Sequence, residues 1–375
     1  MRIAVNTRFL QKNQLEGYGH FINEIFKIIV FNNPQHEFLF IFDRPFSEEF
    51  IYSKNITAKI VTPKARHALS FRYWYDVKVP IVLKKWKADV FVSLDGFCSV
   101  TTSVPQIVCI HDLAFLHYPK LIAKSHLWYY KLMTPKFLKK ASKIVTVSQY
   151  SKNDILKQYK IQENKIEVIY SGIRSKFCSI NNAEREKTKQ LFSNGEEYFL
   201  FVGGVHPRKN VMSLIKAFSI FKKWTKSNMK LLVIGRMAWQ YSEIEEKLKT
   251  YKYRNDVELL GYADDTKLAS IMSAAYVLVH PSFFEGFGSP IVEAFHSAVP
   301  VLTSNTSSMA EIADDAALLF DPNNIEDLAQ QMILIYKDEK LKKQLIEKGI
   351  ERAKDFSWNK TANKLWECIE SVATK

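Results

Sequence analysis

A chain of 375 residues, 47% hydrophobic and 13% aromatic, is long enough for two domains and apolar enough to bury a core in each. It carries 53 Lys and Arg against 39 Asp and Glu, a formal net charge of +14, and shows no repeat or low-complexity segment. This composition sets aside a disordered chain, and four dispersed cysteines, Cys98, Cys109, Cys178 and Cys368, set aside a disulfide framework or a zinc knuckle.

The chain opens on strand-like M-R-I-A-V, without the charged region and apolar stretch of a secretory signal. No uninterrupted apolar run approaches the length of a bilayer span, so a soluble, cytoplasmic protein with reduced thiols is expected. Short apolar runs then alternate with helical patterns. The expected strands of the first half are Ile3–Val5, Phe38–Phe42, Val90–Ser93, Ile107–Ile110, Ile144–Ser148 and Ile166–Ile169. A polar, charge-rich stretch from Arg174 to Glu197 follows and is the expected linker. The second half offers Phe199–Gly203, Lys230–Ile234, Val257–Leu259, Val277–His280, Val301–Thr303 and Ala317–Phe320. Strands interleaved with helices predict parallel sheets wound by crossovers, an α/β chain of two Rossmann-like domains.

One segment carries most of the chemistry. From Val279 to Ala298 the chain reads V-H-P-S-F-F-E-G-F-G-S-P-I-V-E-A-F-H-S-A, which places Glu285 and Glu293 on either side of a glycine-bearing turn. Ser289 and Pro290 read as a helix start, with serine as N-cap and proline as first helical residue. The free N–H groups of such a start form an anion site, and Gly286 and Gly288 let the backbone come close to a ligand. A cleft offering N–H groups to phosphate and carboxylates to hydroxyls suits a nucleotide-diphosphate sugar. The same strand, loop and capped helix is also ordinary α/β grammar, and on the pattern alone Glu293 reads more readily as a solvated helix residue.

E-G-F-G-S-P-I-V-E resembles the E-x7-E motif of retaining glycosyltransferases of family 4, and further stretches resemble that family in the right order. They are M-R-I-A-V-N-T-R-F-L with Gly17 and Gly19 in a first loop, I-V-C-I-H-D-L-A-F-L-H-Y-P around His111, K-I-V-T-V-S-Q-Y-S from Lys143, and K-I-E-V-I-Y-S-G-I from Lys165. In the second half they are F-L-F-V-G-G-V-H-P-R-K-N from Phe199, V-E-L-L-G-Y from Val257, and the run from Pro300 to Pro322, similar to a second loop facing the donor. The resemblance implies the GT-B architecture, two Rossmann-like domains with parallel sheets facing a central cleft. It implies an acceptor-binding domain over 1–178, a nucleotide-sugar-binding domain over 179–355, and a C-terminal helix over 356–375 that packs back on the first domain. Phe356, Trp358, Ala362, Leu365, Trp366 and Ile369 supply that segment's apolar stripe.

Roles follow from the resemblance residue by residue. Glu293 matches the glutamate that accepts hydrogen bonds from the ribose, and Glu285 the one near the transferred sugar. Phe287, Gly288 and Ser289 would offer N–H groups to sugar and phosphate oxygens, with Pro290 and Ile291 completing the donor side. His111 matches the histidine facing the sugar from the first domain, and Gly17 and Gly19 would let the first loop approach diphosphate and acceptor. Lys209, beside Gly203 and Gly204 at a strand end, would neutralise the leaving diphosphate as its charge grows. Where the wider family often has an arginine after the first glycine, this chain has Gly204, and Arg208 is the candidate replacement.

The implied chemistry is transfer of a mannose- or glucose-type hexose from a GDP- or UDP-linked donor, with retention at the anomeric carbon. Neither metal nor cofactor is expected. There is no D-x-D pair beside a strand end, and Asp264-Asp265 and Asp314-Asp315 read as turn and loop residues.

The charge is uneven. Residues 1–180 carry 27 basic and 13 acidic side chains, and the remainder 26 of each, so the whole excess lies in the first half. Much of it is interleaved with aromatics, at Lys64 to Tyr75, Lys84-Lys85-Trp86-Lys87, and Lys124 past Trp128, Tyr129 and Tyr130 to Lys140. Both an anionic membrane surface and single-stranded nucleic acid attract such a surface. Lipid-linked acceptors are common in the resembled family, which favours peripheral binding to the inner face of the plasma membrane over nucleic acid. A nucleotide-sugar epimerase of similar architecture and a basic nucleic-acid-binding protein are the rival classes. Sugar, base and acceptor would be chosen in loops around residues 10–20, 60–75 and 235–245.

Overall fold

A computed structural model describes residues 1–12, 15, 17–65, 67–236, 246 and 248–373. It comprises two compact units, Met1–Gly172 with Ser357–Lys375, and Ile173–Phe356.

The first unit is built on seven strands: β1 (Arg2–Asn6), β2 (Glu37–Phe42), β3 (Ile56–Ile60), β4 (Val90–Ser93), β5 (Gln106–Cys109), β6 (Lys143–Thr146) and β7 (Ile166–Val168). They pair in parallel in the order β3-β2-β1-β4-β5-β6-β7. Runs such as F-L-F-I-F form strands here because a parallel sheet is covered on both faces and has no polar side. β3 is the strand that apolar runs do not predict. Its sequence I-T-A-K-I alternates, and only Ile56 is buried, because it lies at the sheet edge with one neighbour.

The helix Ala68–Tyr73, a π-turn Trp74–Lys78 and the helix Val79–Trp86 follow one another without a break. Trp74 and Tyr75, expected on a basic aromatic surface, are core residues, and the Trp74 Nε1–H donates to the Val61 carbonyl at 2.8 Å. Tyr129 is likewise buried, against Phe71 and Phe97. The exposed large apolar side chains are Leu69, Tyr73, Val77 and Ile81, every fourth residue. A spacing of four drifts about 40° per step around an α-helix, and the wider π-turn in the middle counteracts that drift. Trp128 and Leu132 are exposed at the same spacing on the helix Lys124–Lys140. Arg66 lies outside the described residues.

The second unit has six strands: β8 (Tyr198–Val202), β9 (Lys230–Ile234), β10 (Val257–Gly261), β11 (Val277–His280), β12 (Val301–Ser304) and β13 (Ala317–Phe320). They also pair in parallel, in the order β10-β9-β8-β11-β12-β13. The stretch Arg174–Glu197 is not a linker but part of this unit, with a helix Asn182–Ser193 opened by a capping box of Asn181 and Glu184.

The final helix, Trp358–Ala373, belongs to the first unit and packs on the helix Gly17–Asn32. It buries Ala362, Leu365, Cys368, Ile369 and Val372. The Thr361 hydroxyl donates to the Tyr170 carbonyl at 2.7 Å, and Trp366 stacks on His36 at 5.2 Å. Gly172 makes room for this helix, since an added Cβ would lie 2.5 Å from Trp358. No helix among the described residues is long and apolar enough to cross a membrane.

Candidate active site

In the second unit the strand order reverses between β8 and β11, and the carboxyl ends of strands at such a point are where open α/β sheets bind ligands. Gly203 and Gly235 follow β8 and β9. A Cβ at Gly235 would sit 1.9 Å from the Gly203 carbonyl oxygen, so the two strand ends touch where no side chain fits. Gly204 leads into a single 3-10 turn, Pro207–Lys209, whose Arg208 N–H donates to the His206 ring at 3.2 Å. The helix Val211–Thr225 follows directly, after Asn210 in the left-handed region.

That turn aims two cations at Glu285. Lys209 Nζ lies 2.5 Å from Oε1, and Arg208 Nη1 lies 3.3 Å from Oε2 and donates to the Phe284 carbonyl. His280 Nε2, at the end of β11, is 3.5 Å from Oε1. Burial opposes ionisation of Glu285, but Lys209 and Arg208 outweigh it and hold the carboxyl well below its ordinary 4.5. Burial lowers His280 below 6.5, with Lys209 and Arg208 acting in the same direction against Glu285. The loop after β12 fixes the turn from behind. Ser307 accepts the Glu285 N–H at 3.0 Å, and Ser308 donates to the carbonyls of Glu285 and Phe287. Ser307 adopts φ +53, a region side chains seldom enter.

The helix Ser289–His296 is capped by Gly288 at φ +98, not by Ser289, which is its first residue with Pro290 second. Glycine takes the left-handed cap without cost, and the helix start carries no side-chain cap. Gly288 and Ser289 donate their N–H groups to no protein group among the described residues. Phe287 and Ile291 are buried, Phe287 edge-on to Phe356 at 5.6 Å.

Glu293 is not a solvated helix residue. It is buried, and Oε1 accepts from Arg174 Nε at 2.7 Å, while Oε2 has no partner among the described residues. Arg174 Nη1 also reaches Asp265 Oδ1 at 2.6 Å. Burial raises the Glu293 carboxyl above 4.5 despite Arg174. Asp264 caps the helix Asp265–Ala274, accepting from the N–H groups of Thr266 and Lys267.

In the first unit, His111 follows β5 and its Nε2 lies 2.9 Å from the Leu94 carbonyl. A carbonyl only accepts, so Nε2 carries the proton and Nδ1 is left as acceptor. Burial lowers the ring's pKa below 6.5, and Tyr18 and Phe21 flank it at 4.6 and 5.2 Å. Gly17 and Gly19 lie in the first turn of the helix Gly17–Asn32 rather than in a preceding loop. A Cβ at Gly19 would stand 2.7 Å from the Phe9 carbonyl, whereas one at Gly17 would meet nothing. Much of the 235–245 loop expected to set specificity lies outside the described residues.

Several site neighbours went unread in the sequence. Arg174, His280 and Ser307 are among them, and no local pattern marks them. So is a buried network at the switch between β1 and β4. There Asp95 accepts from Arg8 Nε at 2.5 Å, Tyr75 at 2.8 Å and Asn6 at 2.8 Å. The Arg8 guanidinium lies over the rings of Phe9, Phe71 and Phe97 at 4.6 to 5.2 Å. The strand-end position of Asn6 and Arg8 was the available signal.

Comparison with known proteins adds the family. The profile of glycosyltransferase family 4 matches residues 35–177, and that of glycosyl transferases group 1 matches residues 182–352. The chain belongs to these glycosyltransferases. It is similar to the O-antigen chain mannosyltransferase B of Escherichia coli, 28% identical over 253 residues, which are 67% of this chain and 66% of that protein. The match thus spans about two thirds of that relative's length. Among solved structures it is similar to WaaG, a glycosyltransferase involved in lipopolysaccharide biosynthesis, with a TM-score of 0.78 at 18% identity over 97% of this chain and 98% of that one. It is also similar to Anabaena HepE in complex with UDP and glucose, with a TM-score of 0.77 at 16% identity over 99% and 100% of the two chains. The fold of this family 4 chain is therefore that of the GT-B glycosyltransferases.

Proposed function

We propose that this chain transfers a hexose from a nucleotide-diphosphate sugar to a glycan or lipid-linked acceptor in bacterial surface polysaccharide synthesis, with retention and without a metal ion. The observation that carries the reading is the cluster of Lys209, Arg208 and Glu285 beside the Gly288 cap and the buried Glu293. Lys209, Arg208 and the open N–H groups suit a diphosphate. The unpaired Glu293 oxygen suits a ribose hydroxyl. Glu285 and the neutral His111, with Nδ1 as acceptor, are the proposed contacts to the transferred sugar, while Gly19 seats the first helix against Phe9 and Gly203 meets Gly235 at the strand ends. Both Glu285 oxygens face cations, which makes it a weak nucleophile. This supports a front-face scheme, in which the leaving phosphate takes the acceptor's proton, over the nucleophilic carboxylate of retaining hydrolases. The Escherichia coli relative supports a mannose-type donor, and the UDP and glucose of the Anabaena structure support a UDP-linked one.

The membrane is the proposed surface partner. The helices that expose Leu69, Tyr73, Val77 and Ile81, and Trp128 and Leu132, also expose Lys84, Lys85, Lys124 and Lys131, and apolar side chains accompanied by cations are what anionic bilayers attract.

The test is calorimetry with UDP and GDP, followed by transfer from their mannose and glucose derivatives. Lys209→Ala and Glu293→Ala should each weaken nucleotide binding by roughly 1.5–3 kcal/mol with the fold intact. Transfer should retain the anomeric configuration and survive chelator. Unchanged affinity in both variants would move the donor site elsewhere, and an inverted product or strict metal dependence would overturn the mechanism.

A further inference from the structure

Arg174 stands on the irregular segment that opens the second unit, remote in sequence from the motif it serves. Its guanidinium has three anchors. Nε donates to Glu293 Oε1 at 2.7 Å, Nη1 donates to Asp265 Oδ1 at 2.6 Å, and the plane lies 4.6 Å over the Phe177 ring. A planar fork held on two carboxylates and a ring has little rotational freedom, so the Glu293 carboxylate that it grips is fixed as well. The second oxygen, Oε2, is buried and without a partner among the described residues. A buried acceptor left unpaired is costly, and a ligand hydroxyl is the kind of donor that would satisfy it.

We infer that Arg174 is the positioning residue of the nucleotide site: it occupies one oxygen of Glu293 and presents the other to a ribose hydroxyl. This rests on the donor-site reading proposed above and adds to it a residue outside the E-x7-E segment. Arg174 also sets the charge of that acceptor. The charged groups facing Glu293 are Arg174 and Asp265, and burial together with Asp265 pushes its carboxyl up while Arg174 opposes them. Without the arginine, Glu293 would take up a proton at higher pH and lose its charge-assisted hydrogen bond. Lysine, a single point charge, would restore part of this without serving both carboxylates.

The experiment measures binding of UDP and GDP, and of their 2′,3′-dideoxy counterparts, to the full chain and to its Arg174→Gln, Arg174→Lys and Glu293→Gln variants across a range of pH. The unaltered chain should prefer the ribose form of its nucleotide by about tenfold. That preference should collapse in Arg174→Gln and Glu293→Gln, while the dideoxy nucleotide binds all four proteins alike. In Arg174→Gln, but not in Glu293→Gln, the preference should return as pH rises, because Glu293 then ionises without help. Arg174→Lys should fall between, and it keeps the test in force if the glutamine variant does not fold. A ribose preference unchanged in Arg174→Gln, or a loss shared equally by ribose and dideoxy nucleotides, would overturn the role of Arg174 while leaving the donor site standing. A ribose preference that also survives Glu293→Gln, or failure of the unaltered chain to bind any of these nucleotides, would overturn the donor-site reading and the inference with it.

Discussion

Glu285 and Glu293 belong to one short motif, both are buried, and their carboxyls are pushed in opposite directions. Burial disfavours charge on each. Two cations at Glu285 overcome it, and one arginine shared with Asp265 does not at Glu293. A carboxyl whose folded pKa is depressed stabilises the fold above its unfolded value, and that stability is lost as pH falls toward the folded value. Glu285→Gln, which leaves Lys209 and Arg208 facing each other, should therefore cost about 1–3 kcal/mol near neutral pH. The gap from the unaltered protein should stay level down to the ordinary 4.5 and narrow beneath it. Thermal unfolding followed over pH checks this, and a gap that widens in acid would contradict it. The cost arises in the absence of nucleotide; a bound diphosphate would take over the cations.

At the scale of elements, the closest approaches are made by glycines, and they divide by what surrounds them. Gly19 faces the Phe9 carbonyl in the first turn of its helix, while Gly17 faces open space. Gly19→Ala should destabilise by about 1–3 kcal/mol as an overpacked contact, and Gly17→Ala should stay within about 0.5 kcal/mol. Urea unfolding of both variants measures the difference, and equal losses would mean that the contact at Phe9 yields freely. The pair Gly203 and Gly204 was legible in the sequence as a strand end beside Lys209. Its close approach to Gly235 was not, because the two meet only after β8 and β9 have paired. The helix cap shows the same limit. Ser289-Pro290 has the composition of a cap and first turn, yet Gly288 took the cap, since a left-handed residue was needed to turn the chain out of the loop.

For the whole molecule, the +14 charge resides in the first half of the chain, and there the structure adds the exposed apolar stripe from Leu69 to Ile81. Vesicles containing anionic lipid should sediment the protein more than neutral ones, less so at high salt, where exposed charges are screened. Leu69→Asp with Ile81→Asp should weaken sedimentation without lowering the melting temperature, because both side chains are exposed, Leu69 at 86%. Equal binding to neutral and anionic vesicles, or full binding by the double variant, would remove the membrane from this surface.

By itself the sequence determined the α/β class and twelve of the thirteen strands, and it marked Glu285, Glu293, Lys209 and His111 as candidates beside strand ends. These were legible because strands covered on both faces must be continuously apolar and because strand-end loops keep their special residues together along the chain. Only the tertiary structure decided the rest. Edge position made β3 polar enough to pass for a loop, and burial turned Trp74, Tyr75 and Tyr129 inward while Tyr73 and Trp128 stayed out. Arg174 reaches Glu293 across 119 residues of chain and Lys209 reaches Glu285 across 76. Charges that meet at such separations leave no periodic trace, since it is the order of strands in the sheet, and not spacing along the chain, that brings their loops together.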